Sequence, residues 1–176
     1  MNKININIRF LTITGIILAG AALRLVPHYP NFTPIAAMAL FGGAYFTNKK
    51  LAVIVPFAAM LLSDLVLGYH STFLAVYISF ALIVAIGFTL QKKRTVSRII
   101  VASISSSVLF FVITNFAFWL TGAYYPMNIA GLTECYVAAI PFFQNTLVGD
   151  LVYTGVFFGA FELAKYKLPV LQQVKA

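Results

Sequence analysis

The chain has 176 residues, 61% of them hydrophobic and only 9% charged, with twelve Lys and Arg against four Asp and Glu for a net charge of +8. A soluble domain of this length is roughly half apolar and about a quarter charged, so there are too few charges to coat a water-facing globule, and disorder is excluded too. The basic residues sit in short clusters between apolar runs, which argues against a nucleic-acid surface, and the single cysteine excludes an internal disulfide framework or a multi-cysteine metal motif.

The apolar runs predict an all-α polytopic membrane protein, one integral domain over residues 1–176, because a membrane barrel would show short alternating segments. Six transmembrane helices are expected, at about 10–26, 31–47, 51–68, 72–91, 99–121 and 139–164. The first follows Lys3 and Arg9. Its Ala19-Gly20-Ala21 mimics a signal-peptide cleavage site, but apolar character continues through Leu25 and Val26, so the run is read as a span. The second is short for a crossing of about 20 residues. It either begins at Asn31-Phe32-Thr33-Pro34 and tilts, or is re-entrant.

The ends of the runs alternate without exception. Lys3 and Arg9 precede the first, and no Lys or Arg lies between Pro27 and Pro34. Lys49 and Lys50 follow the second, and none lies between Tyr69 and Thr72. Lys92, Lys93, Arg94 and Arg98 follow the fourth, none lies between Gly122 and Tyr136, and Lys165, Lys167 and Lys175 close the chain. The positive-inside rule then places both termini in the cytoplasm. Pro56-Phe57 before Ser63-Asp64-Leu65-Val66 is echoed by Pro141-Phe142 before Gly149-Asp150-Leu151-Val152. An inverted repeat would look like this, though coincidence in a Phe- and Leu-rich chain is the simpler reading.

Ionisable groups inside a bilayer are costly and are kept for a reason. The acids are Asp64, Glu134, Asp150 and Glu162. Asp64 falls about 6 Å below the outer end of its span, Asn115 about 9 Å, and Asp150 about 13 Å beyond Pro141, near the midplane. Arg24 lies near the outer end of the first span. His28, His70, Glu134 and Cys135 fall in or beside the charge-free outer loops. A cavity open to the extracytoplasmic side is therefore expected, lined by Arg24, Asp64, Asn115 and Asp150, with His28, His70 and Cys135 as its lid. Asn31, Trp119 and Asn145 join the binding set. Plainer readings stand beside these. Arg24 pairs with Asp64 to hold the bundle, Glu162 pairs with Lys165, Trp119 belongs to an aromatic belt with Tyr124 and Tyr125, and Cys135 is an inert buried thiol.

No catalytic residue and no resident cofactor is expected. An aspartyl intramembrane protease would need more of its signature than Gly149-Asp150. Ser103, Ser105, Ser106 and Ser107 lie in the inner half, away from both histidines, so a serine triad fails. No phosphate-binding loop is present. A metal site built from His28, His70, Cys135 and Asp64 is chemically possible but has no spacing motif. On the first helix Gly15 and Ala19 form a small-x-x-x-small step, extended by Gly20 and Ala22, that permits close approach of another helix.

Leu23-Arg24-Leu25-Val26-Pro27-His28, leading to residues 31–43, resembles an uncharacterised bacterial family of proposed membrane transport proteins. So do Ser63-Asp64, Gly68-Tyr69-His70, Thr114-Asn115-Phe116, Gly131-Leu132 with Cys135-Tyr136, and Pro141-Phe142-Phe143 with Gly149-Asp150. The resemblance covers about residues 20–160. That family is in turn similar to the S components of energy-coupling factor (ECF) transporters. The resemblance implies a six-helix bundle in the bacterial inner membrane that captures a vitamin-like or metal-containing small molecule from outside for uptake. It also implies docking, through small residues on helix one, to a transmembrane subunit carrying ATPases, with Gly15 here in place of the usual alanine. Solitary cobalamin-specific relatives ligate cobalt with a loop cysteine, which makes Cys135 a candidate, although its loop does not match theirs. The competing class is a structural or assembly subunit of a membrane complex without transport.

Overall fold

The computed structural model describes residues 7–69 and 71–171. Among them the chain forms six α-helices and no strand: α1 (Ile8–Leu23), α2 (Ile35–Tyr45), α3 (Lys49–Leu67), α4 (Phe73–Thr89), α5 (Val96–Leu120) and α6 (Ile129–Lys167), with a 3-10 turn at Pro169–Leu171. The all-α expectation therefore holds.

The centre of the bundle is α2. Its sequence, IAAMALFGGAY, is apolar or small on every side, and a helix of that kind belongs inside. Every residue from Ala36 to Tyr45 is buried, and α2 packs against each of the other five helices. Small residues let the neighbours come close. A Cβ on Gly87 of α4 would lie 2.6 Å from the Leu40 carbonyl oxygen and 2.8 Å from the Gly43 Cα, so these two backbones touch directly. Toward α6 the packing is aromatic. Phe41 and Tyr45 meet Phe158 and Phe161 with ring centroids 4.5–5.7 Å apart, a spacing that favours tilted and edge contacts.

Buried helix ends must find partners for their free backbone groups. At the C-terminus of α2 three side chains from other elements supply them. Gln91 Nε2 donates to the carbonyls of Gly43 and Phe46 at 2.8 and 2.9 Å. Arg94 donates to Ala44 through Nε at 3.0 Å and Nη2 at 2.7 Å, and Arg9 Nη2 to Tyr45 at 3.3 Å. Cations here also oppose the negative end of the helix dipole. Tyr45 Oη donates to Glu162 Oε1 at 2.5 Å, and Glu162 is paired with Lys165 at 2.6 Å, as expected from their spacing. The N-terminus of α2 is different: Pro34 precedes it and no side chain caps it.

Three helices, α3, α5 and α6, are long and apolar enough to cross a membrane. By rise per residue α1 and α4 measure about 24 and 26 Å and α2 about 16 Å, against a hydrocarbon core of about 30 Å. Within the expected second span, 31–47, the helix covers Ile35–Tyr45, because Asn31 turns the chain with φ 62° and Pro34 precedes the helix. The expected sixth span, 139–164, lies within a longer helix. That helix begins at Ile129, behind Asn128, whose side chain accepts from Gly131 N at 2.9 Å, and Pro141 lies inside it.

The apolar windows of α3, α5 and α6 are only 33, 22 and 33% buried within the chain. Leu61, Leu62, Leu65 and Val66 on α3 and Val101, Val108 and Val112 on α5 all face outward. A water-soluble bundle would turn such faces inward, so these faces suit apolar surroundings.

Candidate functional site

Two buried acids occupy different environments. Asp64, on α3, is fully engaged. Its Oδ1 is 2.7 Å from Arg24 Nη2 and its Oδ2 accepts from Tyr77 Oη of α4 at 2.8 Å. Arg24, at the C-terminal cap of α1, also donates through Nη1 to Ser63 Oγ and to the Met60 carbonyl at 3.3 Å. Both charged residues are buried. The cluster neutralises itself and ties α1, α3 and α4 together, as the pairing reading of Arg24 and Asp64 expects, and neither residue lines the cavity beside Asp150.

Asp150, on α6, is 2% exposed. Its Oδ2 accepts from Ser107 Oγ of α5 at 2.6 Å, and among the described residues no cation faces it. One turn away Ser103 Oγ donates to Thr154 Oγ1 at 3.3 Å. These pairs form a two-rung polar ladder, with Ser103 and Ser107 four apart on α5 and Asp150 and Thr154 four apart on the antiparallel α6. The ladder is a contact that sequence reasoning did not find, although the matched spacing in both helices carried the signal.

A cavity of about 90 Å³ opens beside Asp150, lined by Asn31, Thr33, Ile35, Ala36, Phe110, Thr146 and Asp150. It lies between the α1–α2 loop, the N-terminus of α2, and the facing sides of α5 and α6. Asn31 reaches it from the left-handed region, which Asn tolerates better than most residues. The loop is held on α6 by Asn145, whose Nδ2 donates to the Pro30 carbonyl at 3.1 Å, and by Phe32 packed over Gly149. Larger concavities lie along 47–50 and between α4 and α5 around Leu90, Arg98 and Ser105, with no buried acid in their walls.

The remaining expected residues fall elsewhere. Asn115 donates through Nδ2 to the Phe111 carbonyl of its own helix at 2.8 Å and is not among the residues lining this cavity. Cys135 is corrected. The loop expected around it is the first part of α6, where Cys135 is 2% exposed and its Sγ lies 3.6 Å from the Asn115 carbonyl. Trp119 Nε1 donates to the Pro126 carbonyl at 2.9 Å and closes the α5–α6 loop. His28 is exposed, with Nδ1 3.0 Å from the Tyr29 carbonyl, and His70 lies outside the described residues. Among the described residues no three His, Cys, Asp or Glu side chains gather to hold a metal ion. Gly15 and Ala19 face away from the buried side of α1, which carries Ile13, Ile17, Gly20 and Ala21, and nothing lies within 4 Å of a Cβ built on Gly15.

Among its described residues the chain is all-helical, with three apolar helices of membrane-crossing length and a buried acid, Asp150, that no described cation faces, beside a small cavity. The chain belongs to a family of unknown function, DUF6580, matched over residues 4–171. No curated protein and no solved structure matches it.

Proposed function

We propose that the chain is a six-span protein of the bacterial inner membrane, with both termini cytoplasmic, that captures a small solute from the extracytoplasmic side at Asp150 for uptake. In this reading it works in the manner of an ECF S component. The carrying observation is Asp150 itself. A buried carboxylate without a cation is expensive and is retained where a ligand or proton compensates it. Its cavity lining includes Asn31 and Thr33 of the α1–α2 loop, which carries no Lys or Arg between Pro27 and Pro34. The outward apolar faces support a lipid setting, and the alternation of basic clusters supports the orientation.

The open face at Gly15 and Ala19 supports docking of an energising membrane subunit. The same face equally suits a subunit of a larger complex without transport, which is the second reading. Cobalamin or a metal ion held by Cys135 and the histidines draws no support from a thiol packed against the α5 backbone.

Native mass spectrometry of the protein extracted in mild detergent tests the proposal. A bound small molecule present in the natural chain and absent from Asp150→Asn is expected. A stoichiometric protein partner with no small molecule in either form would favour the assembly subunit.

A further inference from the structure

The cavity beside Asp150 has two unlike walls. On one side are the first residues of α2. Its first hydrogen bond from this end runs from Met38 N to the Pro34 carbonyl at 2.9 Å. Among the described residues, the N–H groups of Ile35, Ala36 and Ala37 have no acceptor, and no side chain caps the helix. Ala36 and Ala37 are buried, and buried backbone donors are seldom left unmade. Helix geometry aims these groups along the axis, out of the N-terminus, where the dipole is positive. Ile35 and Ala36 line the cavity there.

On the other side is Asp150. Ser107 occupies its Oδ2, while Oδ1 has no hydrogen bond among the described residues. Asp150 itself stands in the cavity wall. No Lys, Arg or His stands in the lining; α5 contributes Phe110, α6 Thr146, and the loop Asn31 and Thr33.

An anion alone would meet the helix N-terminus but be repelled by Asp150. A cation alone would meet Asp150 but leave the backbone donors unmade and sit against the positive end of the dipole. A ligand carrying both charges satisfies both walls. We infer that the Asp150 cavity binds a small zwitterion, with its ammonium on Asp150 and its carboxylate on the free N–H groups at the start of α2. The inference rests on the reading of this cavity as the solute site and adds the chemical class. The volume sets the size. About 90 Å³ has room for about three waters, which is the bulk of the smallest amino acids and far below a vitamin.

The experiment is equilibrium binding of radiolabelled glycine to the protein in lipid nanodiscs. Saturable binding is expected, with acetate and methylammonium, each carrying one of the two charges, failing to compete. Asp150→Asn is expected to weaken binding by about tenfold or more, the loss of a hydrogen bond to a charged group. Thr146→Leu, which fills the cavity from a half-buried position on α6, is expected to abolish binding with thermal stability kept. Glycine binding unchanged by either substitution, or no glycine binding by the folded protein, overturns the inference. If glycine fails while mass spectrometry finds another solute lost in Asp150→Asn, the zwitterion class falls and the solute site stands. If neither glycine nor any co-purified solute depends on Asp150, both fall, and the cavity holds only water.

Discussion

Arg24 and Asp64 show how much a single partner decides. Each is buried with its charge met by the other, and Ser63, Met60 and Tyr77 take up the remaining donors and acceptors. Removing one member of such a pair leaves a naked charge in a dry place, at about 3–5 kcal/mol. Arg24→Leu is expected to lose stability of that order, measured by denaturant unfolding in micelles. Arg24→Leu combined with Asp64→Leu should recover most of it. The pairing was legible from the sequence, because intramembrane charges seek each other; the Tyr77 hydroxyl, 13 residues on, was not. Cys135 makes the opposite point. It reads as a loop residue, yet it is buried on α6 against α5. A membrane-permeant maleimide is therefore expected to leave Cys135 unlabelled in the folded protein and to react after denaturation in SDS. Rapid labelling in the native state would contradict this packing.

At the scale of helices, glycine does two separate jobs. Where α2 meets α4, a methyl group on Gly87 would strike backbone, which cannot swing aside. Gly87→Ala is expected to cost about 1–3 kcal/mol, the usual penalty for overpacking. Gly155 and Gly159 on α6 have nothing within 4 Å of a built Cβ. Alanine at either should leave the fold intact or stabilise it by up to about 1 kcal/mol through helix propensity. Thermal denaturation of the three variants in one detergent separates the two cases. Helix positions were broadly readable from apolar runs, but their ends were not. Pro141 resembles a helix start, since proline suits the first turn. The actual start signal is Asn128, a capping residue with its oxygen on Gly131 N. Pro141 lies inside α6 without ending it. The brevity of α2 was visible as a short run, but that its far end is capped by Arg9, Gln91 and Arg94 depends on three distant segments meeting.

For the whole molecule, the orientation proposal is open to direct labelling. In a Cys135→Ser background, cysteines placed at Tyr29 and Tyr124, both exposed, are expected to react with an impermeant reagent on intact cells. Cysteine at exposed Tyr166 should react only after the membrane is opened. Reaction of position 166 from outside, or protection of both loop positions, would rule out this orientation. The same layout explains the split of chemistry between the ends of the bundle. Basic side chains at one end close the C-terminus of α2, and at the other end α2 is left uncapped beside Asp150.

Composition and charge order sufficed to specify an apolar helical chain, its approximate helix positions and Asp150 as the acid to watch. Those properties are local or additive: they follow from counting residues along a line. Which of two buried acids is neutralised, which serines face Asp150, and where α2 leaves its donors unmet all depend on register between helices distant in sequence. A shift of one residue in the α5–α6 pairing turns Ser107 away from Asp150, and nothing in either helix taken alone specifies that register.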